Sequence, residues 1–365
     1  MRFPRLLFYA VNGLGLGHVT RLLSIARKVR DIEPHCEIVF LTSSEADNVI
    51  YREGFAAFKI PSRNIRLSSG IRPVTYARMV QTVTMNLVAS LHPHLLVVDT
   101  FPAGMIQELL PCLRWDLRKA FVYREQRLSV AADPVFQNTL KLYDLCIVPH
   151  LKNDVEMILP EGLEIVWAGP IIIRDNTETL SREEGRKRIG APSDIPLLYV
   201  TFGGGGDTEA DEVREKIIPH LAGLDTPLGK LHLAVTNGPL HRGEIPRGPY
   251  ILPIFEYPIA EIYPAFDGAI SAAGYNTVME LMHHKIPSIL IPFERHVDDQ
   301  GLRAKWALEH NAAILTDINN REELIHAALK ILDPKVAQSL CRNAGELVPE
   351  NGAMNAAQAI IRLLD

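Results

Sequence analysis

The sequence lacks any apolar run close to the length of about 20 residues that a membrane-spanning helix needs. Only four of its 365 residues are cysteines, and none are paired at the short spacing of a metal or disulfide framework. Its first residues also lack the apolar core and small-residue cleavage site of a secretory leader. These absences lead us to expect a cytoplasmic protein with reduced thiols.

Acidic residues are missing from one long stretch of the first half. None occurs between Glu53 and Asp99. The basic residues of this stretch are Lys59, Arg63, Arg66, Arg72 and Arg78. Two interpretations stay open: a solvated surface, or a landing zone for an anionic acceptor or an acidic membrane face, bound by Arg63, Arg66 and Arg72. Nucleic acid is not expected, because no motif that reads bases is present.

Strand-like and helix-like segments alternate along the chain. Arg5–Val11 is a predicted strand and His18–Asp31 a helix, and the same order restarts at Pro196–Phe202. This alternation predicts an α/β protein of two Rossmann-like, doubly wound parallel-sheet domains facing a cleft. The expected domains are residues 1–168 and 169–335, followed by helices over 336–365 that pack back toward the first domain.

A glycine loop stands between the first strand and the first helix. "NGLGLGH" has glycines at 13, 15 and 17, and His18 occupies the position of the third glycine in the dinucleotide fingerprint G-x-G-x-x-G. No Lys-Ser or Lys-Thr follows to make a P-loop. A helix N-terminus behind small residues favours an anion. There His18 is either a base kept neutral by the helix dipole or a plain helix cap.

The most informative stretch is Phe266–Leu308. A turn through Gly274 delivers Asn276 and Thr277 to a helix start, where side chains and backbone amides can bind a diphosphate without a metal. Glu280 is expected on the first turn of this helix, within reach of ribose hydroxyls. The stretch therefore predicts a site for a nucleoside diphosphate.

A second polar group follows the next apolar strand, "PSILIP". The loop after it carries Asp298, Asp299 and Gln300, whose acid and amide groups suit the hydroxyls of a sugar. Upstream, "TFGGGG" at Thr201–Gly206 repeats the glycine loop of the first half. Each half therefore opens with a strand, a glycine loop and a helix.

Together these motifs resemble the GT-B nucleotide-sugar glycosyltransferases. "GLGLGH", "TFGGGG" and "ISAAGYNTVMEL" resemble the glycine loops and donor-binding turn of the MurG-type N-acetylglucosaminyltransferases of peptidoglycan synthesis. "GYNTVME" and "DDQ" resemble the G-W-N-S-x-x-E signature and the closing D/E-Q pair of the plant and antibiotic glycosyltransferases. The resemblance implies an inverting, metal-independent transfer of a hexose or N-acetylhexosamine from a UDP-sugar or dTDP-sugar, without a cofactor. The first domain would bind the acceptor and the second the donor.

The resemblance also implies roles for individual residues. Asn276 and Thr277 would contact the diphosphate, and Glu280 the ribose. Asp299 and Gln300 would contact the sugar. The other implied donor-binding residues are Gly15, Gly17, Gly204, Gly205 and Gly274. No residue is implied as a metal ligand.

In these families a histidine after the first glycine loop removes the acceptor proton, often oriented by an aspartate at a strand end. His18 and Asp99 match this pair, since Asp99 ends the strand of "LLVVDTFPAG". The alternative for Asp99 is the N-cap of a following helix, which we expect over Met105–Leu110.

The match to the donor motif is incomplete. The signature has a histidine where this chain has Ala272 or Ala273, and Arg303 stands where an asparagine often follows the D/E-Q pair. One diphosphate contact is therefore absent or supplied elsewhere. The uracil contact is expected from the backbone of Phe255–Ile259.

Two other functions stay open. "GLGHVTR" also resembles the G-x-G-H-x-x-R start of the pseudaminic-acid pathway hydrolase, in which water replaces the acceptor. A non-catalytic binder of sugar nucleotides could keep the same fold, although it would need no base. The acceptor is unknown; the basic stretch suggests an anionic or lipid-linked one, reached by a protein in peripheral contact with a membrane.

Overall fold

A computed structural model describes residues 3–11, 16–125, 128–152, 154–203, 208–236, 238, 246–294 and 299–364. Internal contacts divide the chain into two units. The first unit extends to Ile171 and resumes at Gly352, and the second unit is Ile172–Asn351. Each unit is built on one parallel sheet.

The first unit contains a seven-stranded sheet. Its strands are β1 (Arg5–Ala10), β2 (Glu37–Thr42), β3 (Ala56–Lys59), β4 (Leu95–Asp99), β5 (Arg118–Val122), β6 (Leu145–Val148) and β7 (Glu164–Trp167). Their order is β3-β2-β1-β4-β5-β6-β7, with every neighbouring pair parallel. The strand order reverses between β1 and β4. Sheets of this kind place ligands beyond the strand ends at such a switch point.

Helices connect these strands. They are α1 (Gly17–Ile32), α2 (Asn48–Arg52), α3 (Arg63–Ser68), α4 (Pro73–Leu91), α5 (Leu128–Ala131) and α6 (Pro134–Leu140), with a 3₁₀ turn at Cys112–Arg114. In α1 the side chains of Val19, Leu22 and Leu23 are fully buried. Since burial of each such side chain contributes about 1.5–3 kcal/mol, this face fixes α1 on the sheet.

The second unit contains a six-stranded sheet in the order β12-β11-β8-β13-β14-β15. Its strands are β8 (Leu197–Thr201), β11 (His232–Val235), β12 (Ile251–Pro253), β13 (Gly268–Ala272), β14 (Ser288–Ile291) and β15 (Ile314–Leu315), and β9 (Asp225–Thr226) and β10 (Gly229–Lys230) form a separate antiparallel pair. All pairs within the larger sheet are parallel. The order reverses between β8 and β13, which makes a second switch point.

The helices of the second half complete the chain. They are α7 (Arg182–Ile189), α8 (Thr208–Leu221), α9 (Tyr275–His283), α10 (Gln300–Glu309), α11 (Arg321–Leu332), α12 (Pro334–Leu347) and α13 (Ala353–Arg362), with 3₁₀ segments at Asn176–Glu178 and Ile259–Ala265. None of the helices in the described part of the chain is long and apolar enough to span a membrane.

The last helix returns to the first unit. Whereas α12 packs on α9 in the second unit, α13 packs on α1. Gly352, just before α13, donates its N–H to the carbonyl oxygen of Pro170 at 2.7 Å. A Cβ at this position would collide with the carbonyl oxygens of Ala168 and Gly169, so this close approach requires glycine.

The predicted fold class, α/β with two units on parallel sheets, is confirmed. The helix expected over Met105–Leu110 is wrong, because that segment forms a series of turns. The buried carboxylate of Glu108 accepts the N–H groups of Met105 at 3.3 Å and Ile106 at 2.8 Å, and also the hydroxyl of Tyr9. These side-chain bonds hold a turn in place of helical backbone bonds.

Candidate active site

His18 lies just beyond the end of β1, as the second residue of α1. Its side chain is 12 % exposed. Gly17 begins the helix, and the N-cap residue Leu16 has an apolar side chain that cannot cap the first-turn amides. The imidazole therefore stands at the positive end of the helix dipole.

Asp99 is the last residue of β4, the strand beside β1. Its carboxylate is fully buried, and Oδ1 lies 3.3 Å from Nδ1 of His18. Adjacent parallel strands end at the same edge of a sheet, which explains why residues distant in sequence meet here. The structure thus brings together, within the first unit, the two residues that the sequence suggested as base and orienter.

Arg21 also belongs to this site, although it is not among the site residues predicted from the sequence. Its buried guanidinium donates from Nε to Oδ2 of Asp99 at 2.9 Å and from Nη2 to Oδ1 at 2.8 Å, a two-point ion pair. Residues three apart share a helix face, so the spacing of His18 and Arg21 in "HVTR" was the available signal.

Thr100 is the fourth member of the site. Its Oγ1 lies 2.9 Å from Nδ1 of His18 and 2.5 Å from Oδ1 of Asp99. Its φ of +67° is in the left-handed region, where a β-branched residue is strained by about 1–3 kcal/mol. Its N–H is bonded to the carbonyl oxygen of Val122 at 3.1 Å, which helps to hold this conformation. The four side chains of His18, Arg21, Asp99 and Thr100 are the His18 cluster.

The His18 cluster pairs a neutral ring with an ionised carboxylate. Burial lowers the pKa of His18; Asp99 opposes this, and the charges of Arg21 and Arg124 lower the pKa further. Burial alone would raise the pKa of Asp99, but Arg21 and His18 outweigh it and hold that pKa well below its usual range. At neutral pH the imidazole is therefore unprotonated and able to accept a proton.

The second candidate region is the start of α9, in the second unit. β13 ends at Ala272, and Gly274 precedes the helix, so that Asn276 and Thr277 are its second and third residues, both half-buried. Backbone N–H groups at a helix start have no carbonyl of a preceding turn to bond. Gly274 has an ordinary φ of −66°, and a Cβ there would meet no described atom within 4 Å. The turn therefore leaves room for a ligand to approach the backbone closely.

Glu280 is the sixth residue of α9 and lies in its second turn, so its expected place on the first turn is wrong. The helix begins two residues earlier than Thr277, and one turn takes about 3.6 residues. The carboxylate is buried and accepts the hydroxyl of Tyr263 at 3.2 Å. Burial raises the pKa of Glu280 to about 7, against the lowering effects of Tyr263 and the Arg174 charge.

Asp299 and Gln300 both have local backbone partners. Asp299 is the exposed N-cap of α10 and accepts the N–H of Leu302 at 2.9 Å. Gln300 is buried, and its Oε1 accepts the N–H of Phe293 at 3.0 Å. These two bonds each use one side-chain oxygen, Oε1 of Gln300 and Oδ1 of Asp299.

Arg303, which stands where the family pattern often has an asparagine, approaches the start of α9. Its Nη1 donates to the carbonyl oxygen of Ala273 at 2.6 Å, and its guanidinium lies 5.4 Å from the ring centre of Tyr275. A cation therefore lies within the second unit beside the turn that precedes α9.

The remaining predicted residues fall into two groups. Gly15, Gly204, Gly205 and Asp298 lie outside the described residues. On α3 and at the start of α4, Arg63 and Arg72 are exposed and Arg66 is half-buried, with its guanidinium 6.0 Å from the ring centre of Tyr76. Within the described ranges, no group of three or more His, Cys, Asp or Glu side chains could hold a metal ion.

Relatives of this chain are named as sugar transferases. Residues 243–359 match the Glycosyltransferase family 28 C-terminal domain. The UDP-N-acetylglucosamine--N-acetylmuramyl-(pentapeptide) pyrophosphoryl-undecaprenol N-acetylglucosamine transferase of Symbiobacterium thermophilum is 24% identical over 373 residues, covering 97% of this chain and 95% of its own.

Solved structures share the fold. MurG of Acinetobacter baumannii superposes with a TM-score of 0.59 at 16% identity, covering 99% of both chains. The glycotransferase of kitacinnamycin reaches a TM-score of 0.67 at 15% identity over 100% of both chains. The resemblance that the motifs indicated is therefore confirmed.

Proposed function

We propose a reaction for this chain, which is a glycosyltransferase of the GT-B fold with a family 28 C-terminal region. It transfers a hexose or N-acetylhexosamine from a UDP-sugar, or a dTDP-sugar, to an acceptor hydroxyl. The transfer inverts the anomeric carbon and needs neither a metal ion nor a cofactor. The observation that carries this proposal is the His18 cluster, because a buried, neutral imidazole held beside a carboxylate is suited to proton removal.

The first unit supplies the base. Nε2 of His18 takes the proton of the acceptor hydroxyl while the acceptor oxygen forms a bond to the anomeric carbon. The bond from that carbon to the diphosphate oxygen breaks, and its electron pair leaves with the nucleoside diphosphate. A single displacement of this kind inverts the anomeric centre. A positioned general base typically contributes about 10²–10⁴-fold to the rate.

The second unit holds the donor. The N-terminus of α9, with Asn276 and Thr277, binds the diphosphate and stabilises its growing charge as it leaves. Glu280 accepts hydrogen bonds from the ribose, and Asp299 and Gln300 bind the sugar hydroxyls. The glycines at 15, 17, 204, 205 and 274 are also proposed to contribute to donor binding. A helix dipole can stabilise a diphosphate without a metal ion.

The acceptor is proposed to be anionic and lipid-linked. The Symbiobacterium relative is named for UDP-N-acetylglucosamine and a pyrophosphoryl-undecaprenol acceptor. In this chain Arg63, Arg66 and Arg72 lie near Leu67 and Val74, which are exposed apolar residues. Cationic side chains and exposed apolar side chains in one short stretch of sequence suit a phosphorylated lipid head group and peripheral contact with a membrane.

A nucleotide-sugar hydrolase is the second candidate function. One observation favours it: Arg21, the last residue of the segment shared with the hydrolase, pairs with Asp99 in the His18 cluster. Product analysis without an acceptor separates the two functions. Rapid release of free sugar indicates hydrolysis, whereas slow release that an acceptor replaces with a glycoside indicates transfer.

The testing experiment is calorimetric titration with UDP, dTDP, GDP and NAD, each with EDTA and again with magnesium. We expect UDP or dTDP to bind equally in both conditions and to lose affinity in Glu280→Ala. Absence of nucleotide binding, or binding of NAD alone, would overturn the proposal. A His18→Ala variant with full biological activity would instead support a non-catalytic binder.

A further inference from the structure

We propose that Thr100 is a positioning residue for the base, because its hydroxyl links Asp99 to Nδ1 of His18 and fixes the tautomer whose lone pair is on Nε2. This inference rests on the proposed function, which assigns His18 as the base. It departs from a simple pair of His18 and Asp99, since Nδ1 lies 2.9 Å from Thr100 Oγ1 but 3.3 Å from the carboxylate.

The hydrogens of the His18 cluster follow from counting donors and acceptors. An ionised carboxylate only accepts, and a guanidinium only donates. Over a distance of 2.5 Å, Asp99 must therefore take the single hydroxyl hydrogen of Thr100. Oγ1 then presents only lone pairs to Nδ1 of His18, 2.9 Å away. Nδ1 must carry a hydrogen and donate it to Thr100.

This assignment decides which ring nitrogen of His18 is basic. A neutral imidazole has one ring hydrogen, and with that hydrogen on Nδ1 the lone pair is on Nε2. Nε2 is therefore the atom that takes the acceptor proton. In the resulting imidazolium, Nδ1 still donates its hydrogen to Thr100 Oγ1. The Thr100 hydroxyl still donates its own hydrogen to Asp99 Oδ1.

Arg21 fixes the other end of this chain of bonds. It binds both carboxylate oxygens of Asp99, which prevents the carboxylate from rotating away from Thr100. Its Nη2 also lies 3.3 Å from Nδ1 of His18. Since both nitrogens carry hydrogens, this contact is a repulsion between donors and not a hydrogen bond. The guanidinium thus favours the neutral ring, as do burial and Arg124.

The backbone of Thr100 is an independent indication of its role. A threonine at a φ of +67° is in a conformation that glycine or asparagine adopts with less strain. Strained backbone tends to occur at functional sites, where the side chain has to reach a particular position. In Thr100 that position lies between His18 Nδ1 and Asp99 Oδ1.

Three substitutions at Thr100 separate the hydroxyl from the fold. Thr100→Val keeps the branched shape, and we expect kcat to fall by about 10- to 100-fold, part of what a general base contributes. The KM for the donor should stay within about twofold, because the donor site is proposed on α9. Thr100→Ser restores the hydroxyl and most of kcat. Thr100→Gly should be as slow as Thr100→Val, because it also lacks the hydroxyl. It should unfold at a higher temperature than Thr100→Val, because glycine relieves the backbone strain.

A buried threonine elsewhere in the first unit is the matched control. The hydroxyl of Thr139 donates to the carbonyl oxygen of Val135 in α6 at 2.7 Å. Thr139→Val should therefore keep the kinetic constants of the wild type. A Thr100→Val enzyme with unchanged kcat would overturn the inference, and so would a Thr100→Ser enzyme as slow as Thr100→Val.

A spectroscopic measurement tests the tautomer without any assay of transfer. In ¹⁵N NMR of labelled wild-type protein at neutral pH, His18 should show a protonated Nδ1 and an unprotonated Nε2. The reverse pattern would overturn the inference. A wild-type protein that transfers no sugar would overturn the proposed function. The ¹⁵N chemical shifts of His18 would still decide whether Thr100 fixes the tautomer.

Discussion

The His18 cluster and the start of α9 both follow a strand end, one in each unit. The first consists of side-chain groups, whereas the second consists mainly of backbone groups. The cluster consists of buried side chains whose charges and hydrogens constrain one another. At the start of α9 a glycine precedes the backbone amides, and nearby Asp299 and Gln300 are bonded to local backbone. Proton transfer needs one atom held in one state, whereas a diphosphate is bound by amides that the helix supplies in any case.

Removing the base should have the largest effect and should leave the second region unaffected. We expect His18→Ala to lower kcat by about 10²–10⁴-fold, because no other group in the His18 cluster can accept a proton at neutral pH. The Kd for UDP should stay near that of the wild type. His310→Ala, at an exposed histidine in the second unit, is the control. A loss of UDP binding in His18→Ala would show that the two regions are not separable.

The carboxylate of Asp99 should matter for both stability and rate. Asp99→Asn leaves the Arg21 guanidinium buried without a counter-charge, and we expect a loss of about 3–5 kcal/mol in the free energy of unfolding together with a fall in kcat. In the second unit, Asp267 pairs with the buried Arg186 at 3.0 Å. Asp267→Asn should lower stability with little change in kcat. Urea unfolding measures the stability of the two variants, and steady-state rates measure their kcat. An equal fall in kcat in Asp99→Asn and Asp267→Asn would contradict the role of Asp99 beside the base.

The donor site should respond to pH through Glu280. Its pKa is raised to about 7, so the ionised carboxylate, which we propose accepts the ribose hydroxyls, is present above this pH and is lost as the pH falls through 7. We expect the KM for the donor to rise by about tenfold below pH 7, and Glu280→Gln to keep a high KM at every pH. Because the Tyr263 bond lowers this pKa, Tyr263→Phe should shift the midpoint upward. A KM that ignores pH in the wild type would rule out this role.

The smallest expected effect is at Gly274, where binding and folding should separate. Gly274→Ala meets no described atom within 4 Å and has a permitted φ, so stability should be unchanged or higher by up to about 1 kcal/mol. UDP should bind several-fold more weakly, because the methyl group fills the space in front of the helix. In β13, Gly268→Ala would contact Ile331 at 2.9 Å and should lose stability. Gly274→Ala with unchanged UDP affinity would place the ligand elsewhere.

Much of this arrangement could be predicted from local sequence. A glycine-rich turn between an apolar run and an amphipathic segment indicates a strand, a loop and a helix, and α1 and α9 begin within two residues of the places that this pattern indicates. Asp99 could be placed because it ends an apolar strand. Glu280 lies one turn later than the sequence predicts, because the exact start of a helix depends on its cap.

The parts that could not be predicted depend on distant neighbours. β4 lies beside β1 although two strands intervene in the chain, so the partner of Arg21 follows from sheet order and not from sequence distance. The positive φ of Thr100 is held by hydrogen bonds to residues distant in sequence, including the one to Val122. No local residue pattern predicts it. Likewise, the buried contacts of Glu108 outweighed the helical pattern around it.

The return of α13 to the first unit has a consequence for how the protein is made. The helix that carries His18 packs against a segment that the ribosome adds only after the whole second unit. Domains generally fold as units while the chain emerges, N-terminal part first. The α13-facing side of α1 therefore stays uncovered until α13 has been synthesised, so the first unit is completed last although its synthesis starts first.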